Sequence, residues 1–396
     1  MLTATKIRLY PTAAQEIALA KSFGCARWYW NNSLAETQRL YRETGKGLGQ
    51  YALNSRLPGL KAEFEWLAET HSQVLQSVSL NLSRSFINFF ERRAKYPSFK
   101  SKYGRQSIQY PQGVKIVEDR KLFLPKLGHV KATVHREILG KIKTVTVSRD
   151  QSGKYFASVL TENDVVQPDP SYVGKIIGID VGLKHLAVTS DGSKFDNPKH
   201  VYRAAKNLAR KQQSLSRKVK GSNTRNKTRI LVAKAHEKVA NARHDWLHKL
   251  SRRLVNENQV IAVEDLNVKG MMQNPNLARA IGDVGWGTFT RMLEYKAARA
   301  GKGFVRVNRW YPSSKTCSCC GHAIKSLPLT IRAWTCDQCG IKHDRDVNAA
   351  KNIAQEAQRM IAAGIVVTGN GGNVSHDRGR KSSVHAVAVE VVSPRL

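Results

Sequence analysis

Acidic residues are scarce in this chain: Asp and Glu together number 30 against 65 Lys and Arg, a formal charge of +35 over 396 residues. So one-sided a balance is too basic for an ordinary metabolic enzyme. Long apolar runs are missing as well. No stretch approaches the ~18 residues that a membrane span needs, and Met1-Leu2-Thr3-Ala4-Thr5-Lys6 leads into nothing like the apolar core of a secretion signal. The expectation is an intracellular protein with no membrane role. Cysteines number only six, too few and too unevenly spread for a disulfide framework.

Hydrophobic residues make up 41% of the chain and aromatics 8%, enough to build real cores, so wholesale disorder is excluded and the length predicts two to three domains. A folded protein with this charge is best neutralised by a polyanion. Inside a cell that means the phosphate backbone of nucleic acid.

Five of the six cysteines fall between 317 and 339. Cys317-Ser318-Cys319-Cys320 and Cys336-Asp337-Gln338-Cys339 form two C-x2-C pairs separated by fifteen residues, the spacing of a four-thiolate structural zinc site. Gly321 and Gly340 permit a tight backbone after each pair. The extra Cys319 offers a second register, and the spacing favours Cys317 and Cys320, with Cys336 and Cys339, as ligands of one Zn²⁺. Cys25, close to Trp28 and Trp30, reads as a buried small apolar residue.

Along the chain, Lys6 to Tyr10 alternates like a strand, and Thr12 with Gln15 fits a capping box opening a helix. Helical patterning dominates from there to about Arg93. The stretch from Trp66 to Phe90 contains neither glycine nor proline. After Tyr96 the texture changes to short strand-like pieces at 114–117, 121–124, 130–134, 144–148 and 155–160, which suggest a small barrel. Pro168-Asp169-Pro170 marks a linker. Lys175 to Gly182 then resembles a buried sheet strand, with 186–190 as an antiparallel partner.

Residues 199–253 hold seventeen Lys and Arg but only two acids, Glu237 and Asp245. Leu231, Ala235, Val239, Ala242, Trp246, Leu250 and Leu254 recur at helical spacing. The second half of the tract is therefore an amphipathic helix whose other face can meet phosphates, with Arg210, Lys211, Arg217, Lys218 and Lys220 as candidate contacts.

In so basic a chain, three acids stand out. Asp180 lies in the apolar strand Ile176-Ile177-Gly178-Ile179-Asp180; Glu264 ends Val260-Ile261-Ala262-Val263; Asp346 opens a helix expected to run to Ala363. Each alone has an ordinary explanation: a sheet-edge acid, an ion pair to the basic helices, a helix N-terminal acid favoured by the dipole. Brought together, three carboxylates repel one another without a cation, and Mg²⁺ is the natural partner for oxygen ligands. Two such ions serve phosphodiester hydrolysis. Asp265 and Asp344 are the nearest rivals and candidate supporting partners.

Taken together, these residues resemble the TnpB (OrfB) proteins of insertion sequences, relatives of type V CRISPR effectors. Gly178-Ile179-Asp180-Val181-Gly182, Val263-Glu264-Asp265-Leu266 and Asp344 to Ala350 are similar to the three RuvC motifs, with the cysteine ribbon between the second and third. Arg8-Leu9-Tyr10-Pro11, Tyr96-Pro97-Ser98-Phe99-Lys100, Leu124 to Gly128 and Tyr311 to Lys315 extend the likeness over about residues 5–365.

That resemblance implies an α/β multidomain protein. A β-barrel wedge domain (1–10 and 96–165) would carry a helical recognition insertion (11–95). A linker (166–171) would lead to a RuvC-like RNase H fold nuclease domain (172–365) with an inserted zinc ribbon (312–342), and a tail (366–396) would follow. The implied activity is RNA-guided DNA cleavage by a two-metal mechanism at Asp180, Glu264 and Asp346, with two Mg²⁺ ions, or Mn²⁺ in their place. The implied partners are a transposon-end guide RNA (ωRNA) and double-stranded DNA bearing a short target-adjacent motif, in a prokaryotic, nucleoid-associated setting. Gln76 matches a helix position used for the motif-proximal duplex in relatives, and Tyr51 is a further candidate in a region that departs from the family pattern. A guided DNA-binding regulator without cleavage and an accessory transposition protein are the competing functions; an intact acidic triad speaks against both. Trp28, Tyr29 and Trp30 are read as core rather than as stacking platforms.

Overall fold

The computed structural model describes residues 1–117, 120–328 and 330–365. These form two compact units that divide at Val165 and Val166. The expected tail at 366–396 lies outside the described residues.

In the first unit, β1 (Leu2–Tyr10) is followed by α1 (Ala13–Thr44), α2 (Gln50–Ser55), α3 (Leu57–Glu63), a 3₁₀ turn at Glu65–Glu69, and α4 (Ser72–Phe90). Six strands come next: β2 (Gln106–Tyr110), β3 (Lys115–Val117), β4 (Lys121–Leu124), β5 (Gly128–Thr133), β6 (Lys141–Arg149) and β7 (Tyr155–Glu162). All pair antiparallel in the order β2-β6-β7-β1-β5-β4-β3. β1 is thus an inner strand of a sheet whose other members lie more than ninety residues downstream. Thr5, Ile7 and Leu9 alternate into the core.

The sequence suggests a small barrel; among the described residues the pairing runs from β2 at one end of the sheet to β3 at the other. β3 is three residues long and exposed throughout, which leaves little to pair across a closing seam.

α1 starts as its sequence dictates. Thr12 accepts from the Gln15 amide at 3.3 Å while the Gln15 side chain accepts from the Thr12 amide at 3.1 Å. Tyr29 and Trp30 are buried, and the Tyr29 hydroxyl donates to the Leu53 carbonyl at 2.7 Å. Trp28 packs edge-on to Phe64 and Trp66. Cys25 is buried, and that burial pushes its thiol pKa up.

The second unit is built on a mixed sheet. β8 (Ile176–Val181), β9 (His185–Thr189) and β10 (Lys194–Asp196) form an antiparallel meander; α5 (His200–Ser216) and α6 (Asn223–Glu257) lead to β11 (Val260–Glu264). Then come α7 (Val268–Met271), α8 (Pro275–Val284), α9 (Trp286–Arg299) and β12 (Gly303–Val307), a small hairpin of β13 (Ala333–Thr335) and β14 (Lys342–Asp344), and α10 (Arg345–Ala362). The order is β10-β9-β8-β11-β12, with β11 parallel to both β8 and β12. Ser171, at the end of the expected linker, is already tied to this sheet through a bridge to Lys302.

The central strands are apolar on both faces because both are covered. Ile177, Ile179, Ile261 and Val263 face a core built with α6 and α9, whereas Val260, Ala262, Val305 and Val307 face α10 through Ile353 and Ala357. In α6 the buried stripe differs from the expected one before its C-terminal third: Val232 is buried while Leu231 and Ala242 are exposed. The packed part of this 35-residue helix is its C-terminal third, Leu247 to Val255, and that third sets the rotation.

Candidate metal centres and basic surface

Asp180 and Glu264 sit at the carboxyl ends of adjacent parallel strands. Val263 is in register with Ile179, so the next residues along each strand, Glu264 and Asp180, stand side by side. Alternation places Asp180 on the same face as Ile176 and Gly178, and Glu264 on the face of Val260 and Ala262, the face α10 covers. Gly178 is what lets α10 approach. A Cβ there would overlap the Ala350 carbonyl oxygen and stand 2.6 Å from the Ala354 amide nitrogen. One helical turn before Ala350, ~6 Å along the axis, lies Asp346; two residues beyond Gly178, ~6.6 Å along the strand, lies Asp180. The close approach therefore brings Asp346 to the level of Asp180.

The electrostatics agree with that geometry. Burial pushes Asp180 up from 3.8 to about 8, and the Asp346 and Glu264 carboxylates push in the same direction, while the Arg345 guanidinium opposes them. Burial also raises Glu264. Asp346 has a partial counter-charge in Arg332 at 3.5 Å.

The rival acids are committed elsewhere. Asp344 caps α10, accepting from the amides of Asp346 and Val347 at 3.1 Å each, and pairs with Lys194 at 2.5 Å. Asp265 is paired with Arg309 and, at 3.7 Å, with Arg306. Asp180 thus feels the charges of both Glu264 and Asp346, with Arg345 and Arg332 as partial compensation and two neutralised acids nearby, and carboxylates are the donors that suit a hard cation with oxygen ligands.

The second centre is tighter. Sγ atoms of Cys317, Cys320, Cys336 and Cys339 all lie within 4.8 Å of one another, so these four can hold a zinc ion, and Cys319 stays outside the group. Burial pushes Cys317 up, but hydrogen bonds from the backbone amides of Cys320 and Cys319 and from the Cys320 and Cys339 thiols together bring it down to about 7. At Cys339 the Ile341 amide pulls down, yet burial and the thiols of Cys320, Cys317 and Cys336 lift it to about 12. Four crowded thiols cannot all ionise without a cation among them.

Two features here carried no signal in the sequence motifs. His343 Nε2 lies 3.0 Å from Cys317 Sγ, next to the quartet. Three amides on one face of α10 grip the first cysteine turn. Asn348 exchanges bonds with the Ser318 amide at 2.9 Å and the Thr316 carbonyl at 2.7 Å; Asn352 donates to the Ser313 carbonyl at 2.7 Å; Gln355 donates to the Ser318 carbonyl at 2.9 Å. Their spacing of four and three is one helix face, legible only once 313–318 is known to lie against it.

The candidate nucleic-acid contacts fall on surfaces. Gln76 is exposed on α4, and Tyr51 is 87% exposed on α2. In the second unit Arg210 and Lys211 lie on α5, while Arg217, Lys218 and Lys220 form an exposed turn into α6. That turn is held from below, as Arg225 donates to the Leu215 and Lys218 carbonyls, each at 2.8 Å.

Comparison with known proteins gives a consistent picture. The OrfB IS605 family model, described as "Probable transposase", matches residues 157–275; a "Cas12f1-like, TNB domain" model matches 286–353, and an OrfB "Helix-turn-helix domain" model matches 1–46. A Streptomyces pristinaespiralis protein named "Putative RNA-guided DNA endonuclease" is 40% identical over 381 residues, 95% of this chain and 92% of that protein. "Putative RNA-guided DNA endonuclease InsQ" of Escherichia coli K12 is 34% identical, covering 92% of this chain and 95% of its own length. Among solved structures, the Cas12f1 chain of a Cas12f1-sgRNA-target DNA complex superposes with a TM-score of 0.56 at 14% identity, over 89% of this chain and 98% of that one, a likeness of fold.

Proposed function

The chain belongs to the TnpB (OrfB) family of insertion-sequence proteins, and from that premise we propose that it is an RNA-guided DNA endonuclease whose cutting centre is Asp180, Glu264 and Asp346. The observation that supports this reading is the side-by-side placing of Asp180 and Glu264 on adjacent parallel strands, with Asp346 near enough to act on the Asp180 carboxyl, while Asp265 and Asp344 are neutralised. The strand order, an antiparallel meander continued by two parallel strands, supports a RuvC-like RNase H fold for this unit.

In this reading the three carboxylates hold two Mg²⁺ ions, with Mn²⁺ as an alternative. When bound, such ions activate a water and stabilise the leaving oxygen of a phosphodiester. The chain's own work is positional. β8 and β11 fix two donors by register, the close approach at Gly178 sets the third, and the Asp344 cap orients the first turn of α10. The cysteine quartet holds one Zn²⁺ that shapes the segment before α10.

Partners follow from charge. The cations of α5 and its turn, exposed Arg210, Arg217, Lys218 and Lys220 with half-buried Lys211, would grip the backbone of a guide RNA (ωRNA) and its heteroduplex with DNA, so that base pairing supplies sequence specificity. Gln76 and Tyr51 would face the duplex bearing a target-adjacent motif. The protein would act at the nucleoid.

The test is cleavage, with Mg²⁺, of a plasmid library holding one fixed target and randomised flanks, by protein purified with RNA from its native locus. The expected result is depletion of one flank motif, abolished by Asp180→Ala. Motif-specific binding without cleavage would replace the nuclease reading with that of a guided DNA-binding regulator.

A further inference from the structure

Trp310 is 85% exposed, yet the chain on both sides of it is pinned. Just before it, the Asn308 side chain accepts from the Trp310 amide at 2.9 Å, and Arg309 is paired with Asp265. Just after it, Tyr311 packs into the core under α10, and the Pro312 carbonyl accepts from the amides of Lys315 and Thr316, each at 3.1 Å. A large indole is therefore held out to solvent by a segment with little freedom of its own, at a standing cost in exposed apolar area. Arg309, adjacent, is anchored by its ion pair with Asp265 and holds the turn in place.

Its place in the fold gives the feature meaning. Val307 is in register with Glu264, and the Asp265 amide donates to the Val307 carbonyl at 2.9 Å. Trp310 is three residues further on, so its backbone lies within roughly 10 Å of that level. This is the span of about three stacked nucleotides of one strand.

We propose that Trp310 is a stacking platform for an unpaired base of the DNA strand held at the carboxylate centre, its ligand class single-stranded nucleic acid. The inference rests on the nuclease reading for the identity of that strand. An aromatic face accepts any base, which suits a site whose sequence choice is made elsewhere. Loss of one stacked base reduces affinity by about 1–3 kcal/mol, a factor of roughly 5 to 150.

The experiment uses the full-length protein with its RNA in two readouts. In the first, Asp180→Ala protein without Mg²⁺ is titrated with single-stranded oligonucleotides carrying 2-aminopurine at successive positions. One position is expected to be quenched, and Trp310→Ala should abolish that quenching and weaken binding at least fivefold, while Trp310→Phe retains most of both. In the second, cleavage of single-stranded DNA by otherwise wild-type protein should show the Trp310→Ala defect falling on KM more than on kcat. Absence of position-specific quenching, or quenching and affinity unchanged in Trp310→Ala, overturns the platform whether or not the protein cuts DNA. Quenching that depends on Trp310 in a protein that never cuts keeps the platform and removes the nuclease reading.

Discussion

Gly178 on β8 and Ala350 on α10 meet with no space for a side chain between them, and the atoms a Cβ would strike are backbone atoms of the helix. Gly178→Ala therefore has no flexible neighbour to yield. α10 must slide or lift, at a cost of about 1–3 kcal/mol for overpacking. Since Asp346 lies one turn from this point, the displacement reaches the carboxylate centre. Expected are a lower melting temperature and a DNA-cleavage rate reduced by more than the stability loss explains at a temperature where the variant is folded. A variant with wild-type melting and cleavage would mean that the Gly178 approach does not set the centre.

Asp180 is buried and flanked by the like charges of Asp346 and Glu264, so the metal-free protein should be more stable without its charge. Its folded-state pKa, about 8, lies above its ordinary 3.8, so the folded protein binds more protons than the unfolded chain between those values. Stability contributed by the protonated form is complete below about pH 4 and is lost as pH rises through about 8. In metal-free buffer, Asp180→Asn should accordingly melt higher than the wild type at pH 8, with the gap closing toward pH 5. Added Mg²⁺ should stabilise the wild type and not the variant. Equal melting of the two proteins at pH 8 would rule out a costly buried charge at Asp180.

Much of this architecture is legible in the residues themselves. The capping box at Thr12 and Gln15 and the apolar runs ending in Asp180 and Glu264 announce their own elements, because each depends on neighbours in sequence. The four-cysteine spacing does the same for a site whose two halves are local turns. Less legible were the elements held by distant partners. β2 and β12 carry no clean alternation bounded by turns; β12, Gly303 to Val307, pairs with β11 and is buried on both faces by the cores on either side of the sheet, Phe304 in one and Val305 and Val307 in the other. Whether the first unit's strands close into a barrel is not legible in the sequence, because strand counting says nothing about which edges meet. The rotation of α6 was misjudged at its N-terminal half, where few residues are buried and periodicity alone cannot choose a face. The grip of Asn348, Asn352 and Gln355 on the cysteine turn had no signal in sequence, since amides on a helix read as solvent-facing until the opposing carbonyls are in view.

That grip predicts that the zinc centre and α10 respond together. Stripping the ion should release the thiols of Cys317, Cys320, Cys336 and Cys339, loosen residues 313–318, and free the amides bonded to them. Hydrogen exchange in the first two turns of α10 should then rise in chelator-treated protein, with little change in β8 and β11. Asn352→Leu, which removes the bonds to the Ser313 and Thr316 carbonyls but keeps the side chain's size, should raise exchange in the same segment by about 1–2 kcal/mol of lost protection with zinc still bound at one ion per chain. If chelation leaves α10 exchange untouched, the helix is positioned by the sheet alone.

The exposed turn between α5 and α6 offers a test of charge separated from folding. Arg217, Lys218 and Lys220 have no ion-pair partner among the described residues, and the turn's shape depends on Arg225 binding the carbonyls of Leu215 and Lys218, groups that alanine keeps. Replacing all three by alanine should leave the melting temperature within about 1 °C, because solvated surface charges contribute little to stability. Guide-RNA affinity should fall, and it should fall most at low salt. Each phosphate that is no longer neutralised takes about 0.7–0.9 from the slope of log affinity against log salt, so three such phosphates flatten it by roughly 2 to 3. Filter binding across a salt series measures that slope directly. An unchanged slope with unchanged affinity would place the RNA on another surface, and the remaining cations of α5, Arg210 and Lys211, would be the next to substitute.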